Sequence, residues 1–241
     1  MVMVSCKKCL SEKVVKNGIT RKKQRYICRE CGRIFVEGDK RTNDGVIAKK
    51  AMCTILYSLG KASFNMLAHI FDTWPSLIYR WIVEAGAKLP ETEISGEIKE
   101  MEFDEMWHFV GSKKNKLWIL KAVDRSTRRV VAWVLGHRDT ATFRRLYNKV
   151  KHLETCIFYT DDWDAFIKVL PKERLIIGKA HTVAIEQNNS NTRHHLGRFT
   201  RRTKVVSKRD TMVDTSLKLW KNLTTPDIFT QIQTIALSPY K

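Results

Sequence analysis

The chain has 241 residues, 43% of them apolar, with 44 Lys plus Arg against 25 Asp plus Glu and a formal charge of +19. That apolar fraction supports a sizeable core and excludes disorder as the dominant state. The charge makes a polyanion the expected partner, nucleic acid ahead of a membrane surface, because counterion release from phosphates favours binding by many Lys and Arg.

No apolar run approaches the roughly 18 residues needed to span a bilayer, and the start Met1-Val2-Met3-Val4-Ser5-Cys6 lacks a signal-peptide core. A cytoplasmic protein is expected, with no membrane partner. The basic charge is spread along the chain. One acidic, turn-rich stretch at residues 90–97 divides it and is expected to be a linker.

The first predicted unit covers residues 1–42. Cys6-Lys7-Lys8-Cys9 and Cys28-Arg29-Glu30-Cys31 form a C-x2-C, 18-residue gap, C-x2-C pattern, four thiolates suited to a closed tetrahedral Zn2+ site. The alternative, two disulfides, needs an oxidising compartment that nothing in the sequence suggests. Residues 21–27 lead into the second pair like a short strand and 32–36 lead out like another, as in a zinc ribbon. A segment this short builds little core, so the metal is expected to be structural. Arg21, Lys22, Lys23, Arg25 and Arg33 either face phosphates or form a solvated face. Cys53 and Cys156 stand alone in apolar surroundings and are expected to be core thiols.

The second unit, residues 43–89, is predicted to be all-α. Val46, Ile47, Met52, Ile55, Leu56 and Leu59 follow helical spacing up to Gly60. A short second helix fits 63–71, and Pro75 stands at the first position of a third that runs to about Ala85. Three short helices with a tight turn before the last describe a helix-turn-helix, whose final helix would place Ser76, Tyr79 and Arg80 nearest the DNA. An ordinary helical hairpin is the alternative. His69 is expected to be a surface or structural histidine.

From residue 98, three strand-like runs separated by turn material are followed by alternating helix and strand, in the order β-β-β-α-β-α-β-α. This order predicts an α/β RNase H-like domain over 98–225 with a mixed five-stranded sheet. It would put Asp104 on the first strand, Asp161 at the end of the fourth beside it, and Glu186 on the following helix. Three such carboxylates suit Mg2+ or Mn2+, and two such ions activate an attacking oxygen and stabilise a leaving one at phosphorus. Asp124, Asp139, Glu154, Asp164 and Glu173 are expected to be ordinary surface acids.

Glu102-Phe103-Asp104-Glu105-Met106-Trp107-His108-Phe109-Val110-Gly111, Tyr159-Thr160-Asp161-Asp162-Trp163 and Ile185-Glu186-Gln187-Asn188-Asn189 through Arg193-His194-His195-Leu196 resemble the transposases of the insertion sequence 1 family. That family's pattern runs D-E-x-W-x-[YF]-V-G, T-D-x-W, then I-E-x-x-N with a basic residue seven positions after the Glu. The resemblance extends from the ribbon and helix-turn-helix to about residue 225 and implies that Asp104, Asp161 and Glu186 form a catalytic DDE triad. Asp162 stands where relatives often carry Gly, so the choice of Asp161 rests on the flanking Thr160 and Trp163. The turn before the third helix lacks the usual Gly.

Arg193 would lie on the same helix face as Glu186 and bind substrate phosphate, and His195 either does likewise or is a surface histidine. Arg198, Arg201 and Arg202, followed by Lys204, Lys208 and Arg209, would continue a DNA-binding edge, the alternative being a solvated basic surface. The expectation is therefore a metal-dependent transposase that binds double-stranded DNA at the ends of its element, cuts it, and joins the released 3′ end to a target. It would be associated with the nucleoid and work as a homodimer or higher oligomer. The alternatives are a DNA-binding regulator with an inactive RNase H-like domain and a nuclease that does not join strands. Residues 226–241 carry no motif and are assigned as a C-terminal tail.

Overall fold

The computed structural model describes residues 4–6, 11–36, 44–90, 94, 98–200 and 202–240. Cys9, Arg201 and most of the expected linker lie outside them. Among the described residues, no helix is long and apolar enough to cross a membrane.

At the N-terminus, β1 (Val14–Thr20), β2 (Lys23–Cys28) and β3 (Ile34–Val36) form an antiparallel sheet in that order. β1 and β2 are joined by the two-residue turn Arg21-Lys22, both with positive φ (47° and 62°). This is the turn whose twist matches paired strands, here without the usual Asn or Gly. The apolar centre is small, Cys6, Cys28 and Phe35 with Tyr26 stacked on Phe35.

Three helices follow, α1 (Asp44–Leu59), α2 (Phe64–Ile70) and α3 (Pro75–Lys88). Ser63 caps α2 by accepting a hydrogen bond from the Met66 N–H, and Pro75 begins α3 where its missing N–H costs nothing. The turn between them has Asp72 at φ 46°, so an aspartate takes the left-handed position left without a glycine.

The sheet of the larger unit is built from β4 (Glu100–Phe109), β5 (Lys116–Asp124), β6 (Val130–Gly136), β7 (Ile157–Thr160) and β8 (Leu175–Ile177), in the order β6-β5-β4-β7-β8. β4, β5 and β6 are antiparallel neighbours, while β7 runs parallel to β4 and β8 parallel to β7. This is the mixed five-stranded α/β arrangement expected from the element order. Helices α4 (Thr140–Val150) and α5 (Asp164–Val169) cover one face, where Phe103, Phe143, Phe158 and Phe166 pack. Helices α6 (Val183–His195) and α7 (Asp210–Leu223) cover the other, against Met106, Ile119 and Val123.

The chain end departs from the expected tail. Residues Pro226–Leu237 form a helix, α8, because Ile228, Phe229, Ile232, Ile235 and Ala236 recur at helical spacing. The helices α1 to α3 do not close a core of their own: Cys53, Tyr57, Leu67, Ile78, Trp81 and Ile82 share one cluster with Met212, Leu219 and Leu223 of α7, with Ile232 of α8 packed against it. Tyr57 and Ser216 hydroxyls meet at 2.6 Å inside this interface. Cys53 and Cys156 are fully buried, and burial pushes their thiols up to about 12 and about 11, as core thiols should behave.

Candidate active site

The pairing of β4 with β7 stops at Glu102 opposite Tyr159, and β7 itself ends at Thr160. Beyond that point β4 has an open edge, and Asp161 lies at its side. Carboxylate oxygens of Asp104, Glu105 and Asp161 all lie within 4.8 Å of one another there. Alternation along β4 sends Phe103 to the α4–α5 face and Asp104 to the α6 face. Glu105 returns to the first side, so the two neighbouring acids approach Asp161 around the free edge from opposite faces.

Each acid is held. Asp104 accepts from the Glu105 N–H at 2.8 Å and from the Asn189 amide at 2.9 Å. Asp161 accepts from the Trp163 N–H at 3.1 Å. Glu105 is paired with Arg138, Nε to Oε1, at 2.6 Å. Burial, together with the charges of Glu105 and Asp161, pushes the Asp104 carboxyl up to about 7 against its hydrogen bonds. Glu105 is raised as well, chiefly by burial, although Arg138 opposes it. Asp162 is exposed and outside the group, so the geometry separates the two adjacent aspartates.

Glu186 lies exposed in the first turn of α6 and is not part of this close group. Its helix is nevertheless fastened to β4. Buried Glu102 accepts from the Ile185 N–H at 2.8 Å, satisfying a donor that the start of a helix leaves without a partner. Asn189, one turn beyond Glu186, bonds Asp104. Lys121 of β5 is fully buried opposite Asp104 in the strand register, and donates to Asn188 at 3.2 Å and Thr192 at 2.8 Å of α6. Burial lowers the Lys121 ammonium to about 7.

Arg193 donates to the carbonyls of Trp107 and Phe199 and so ties α6 to β4 and to the turn after it. Arg198, expected at the surface, is buried: it bonds Ser207 at 3.0 Å and lies over the rings of Tyr57 and Phe64. Its guanidinium fills the joint with α1 and α2, a place that aromatic faces stabilise for a planar cation. His195 meets the Leu59 carbonyl at 3.2 Å in the same joint. Arg202, Lys204, Lys208 and Arg209 are exposed. On α3, Ser76 and Arg80 are exposed, while Tyr79 is half-buried edge-on to Phe64. His69 is exposed.

In the N-terminal sheet, sulfurs of Cys6, Cys28 and Cys31 lie within 4.8 Å of one another, with Cys6 and Cys31 at 3.5 Å. Gly32, at φ 67°, makes the reversal after Cys31 that lets its N–H reach the Cys28 carbonyl. Three soft thiol ligands on tight turns fit Zn2+, and the oxygen-only group around Asp104 fits Mg2+ or Mn2+.

Glu102, Glu105 and Asn189 lie inside the family motifs but carry no sign of these roles in the sequence, and Arg138 and Lys121 lie outside those motifs. Their partners are 33 to 85 residues away in the chain, which no local pattern reports. Of the acids read as ordinary surface groups, Asp139 caps α4 through the Thr142 N–H and Asp124 holds the turn to Thr127.

A family model described as IS1 transposase matches residues 98–223, just over half of the chain. An insertion element IS1 protein InsB of Shigella flexneri is 38% identical over 107 residues, which are 44% of this chain and 82% of that protein. The insertion element IS1 2 protein InsB of Escherichia coli (strain K12) is 37% identical over 107 residues, and the chain spans 64% of its length. The matched region contains the sheet, its open edge with Asp104 and Asp161, and the helix that carries Glu186; the chain belongs to the IS1 transposase family.

Proposed function

We propose that the chain binds the ends of an insertion element and performs metal-dependent cleavage and strand transfer there. The observation that carries this reading is the convergence of Asp104 and Asp161 at the open edge of β4, with α6 and Glu186 fastened alongside through Asn189 and Glu102. In this reading the fold is RNase H-like over 98–225, and Asp104, Asp161 and Glu186 hold Mg2+ or Mn2+. The cation's chemistry is to activate an attacking oxygen at phosphorus and to stabilise the leaving one. Asn189 and the Glu105 N–H orient the Asp104 carboxylate, and the Trp163 N–H does so for Asp161. Lys121 locks α6 to the sheet from behind.

The N-terminal part, 1–42 as a zinc ribbon on Cys6, Cys9, Cys28 and Cys31 and 43–89 as a helix-turn-helix, recognises the element end, with 90–97 as the connection. Exposed Ser76 and Arg80, with half-buried Tyr79 beside them, face the DNA, and exposed Arg202 continues the basic edge. Two ends must be held together for joining, so the working unit is a homodimer or larger.

The test incubates the purified protein with Mg2+ and DNA bearing the element's termini, beside Glu186→Gln. Cleavage at the termini followed by joining, lost by at least about 100-fold in the variant, is the expected result. Cutting without joining would point to a nuclease. Binding at the termini without cutting by either protein would point to a regulator.

A further inference from the structure

Glu105 differs from the other two acids of the open edge. Its side chain is 93% buried, from a relative exposure of 7%, yet only one oxygen has a partner, Oε1 on Arg138 at 2.6 Å. The second oxygen, Oε2, is shut off from solvent and accepts no hydrogen bond. Arg138 does not serve both: it reaches Glu105 through Nε, and its guanidinium lies over the rings of Trp163 at 4.7 Å and Trp118 at 5.6 Å. Cation–π contact with two indole faces favours this placement of the guanidinium beside the carboxylate it holds.

A buried carboxylate oxygen without a donor is costly, and two further carboxylates nearby add repulsion. Ligand oxygens on one octahedral Mg2+ lie about 3.0–4.2 Å apart, close to the spacing already present within the 4.8 Å group. A structural ion pair accounts for Oε1 but leaves Oε2 unexplained. A divalent cation between the three acids accounts for both.

We infer that Glu105 is itself a ligand of the divalent cation, giving Oε2 to the ion while Arg138, set over the rings of Trp118 and Trp163, holds the carboxylate in place. The inference rests on the proposal that Asp104 and Asp161 hold the cation, and adds a fourth acid to the expected three. Trp163 then has two tasks, orienting Asp161 through its N–H and supporting Glu105 through the arginine that lies over its ring.

The test measures Mn2+ uptake by the zinc-replete full-length protein, from the loss of the free-ion paramagnetic resonance signal, with no DNA turnover required. Glu105→Gln keeps an oxygen for Arg138 and removes the charge. It should weaken Mn2+ binding by about tenfold or more, and its melting temperature without added cation should stay at or above that of the unsubstituted chain. Asp161→Asn, run in parallel, should weaken binding as well. Unchanged Mn2+ affinity in Glu105→Gln alongside a weakened Asp161→Asn would overturn the role of Glu105 alone. No uptake by the unsubstituted protein, or no loss in Asp161→Asn, would overturn the site itself and the inference with it. Should the amide variant fail to fold, Glu105→Asp keeps the charge but shortens the reach, and its Mn2+ affinity carries the same comparison.

Discussion

Asp104 is an acid placed where its charged form is least welcome, half-buried and within reach of two other carboxylates. A carboxyl raised from its ordinary 3.8 to about 7 binds its proton more tightly in the folded chain than in the unfolded one. The stability this gives is full at low pH and is lost as pH rises from near 3.8 through about 7. Without added Mg2+ or Mn2+, Asp104→Asn should therefore be more stable than the parent at pH 8, by about 1–2 kcal/mol after allowing for partial solvent access. The difference should shrink towards zero near pH 4, and thermal melts across this range check it. Asn189 has a buried side-chain oxygen without a partner, so a flipped amide there can accept from the new one. If Asp104 holds the cation as proposed, adding Mn2+ should reverse the order at pH 8, because only the parent keeps the charged ligand.

At the scale of elements, α6 is positioned by buried polar contacts rather than by its own amphipathicity. Glu102 ties its first turn, Asn189 and Lys121 its middle and Arg193 its last turn. Glu102→Leu removes the acceptor of the Ile185 N–H and the partner of Arg125, at 3.4 Å, and should cost about 1–3 kcal/mol in chemical denaturation. In the proposed function, strand transfer by the folded variant should fall as well, since Glu186 follows Ile185 directly.

Most elements were legible because β5, β6 and β7 are apolar runs bounded by turn residues, and α1 and α3 keep helical spacing. β1 was not: Asn17-Gly18 reads as a turn, whereas Gly18 at φ 74° sits where the β1–β2 register shifts, a bulge inside the strand. Asp104 and Asp161 were legible as a pair because strand order brings their strands together. Glu105 was hidden by its neighbour, since an acid next to an acid on a strand is expected to point away. Arg198 was misplaced because a run of basic residues carries no sign of which one turns inward to stack on aromatic rings.

At the scale of the whole molecule, the first and last helices of the chain complete one another. α7 gives Met212, Leu219 and Leu223 to the helical unit and Val213, Leu217 and Trp220 to the core beneath the sheet. α8 lies against α1 on the outer side, with Ala236 buried. Removing residues 225–241 should uncover apolar surface on α1 and lower the melting temperature, with increased binding of a hydrophobic dye as the second readout. Unchanged melting and dye binding would show that α8 contributes nothing to this core.

The two-sided packing of α7 also sets a length scale. A reading head joined to a cutting edge by a flexible tether would nick DNA over a spread of positions. Here one helix is the common wall of both compartments, and Arg198 and His195 pin the same joint. In the proposed function such a molecule acts as a ruler, and the nick falls at a constant number of base pairs from the sequence it grips.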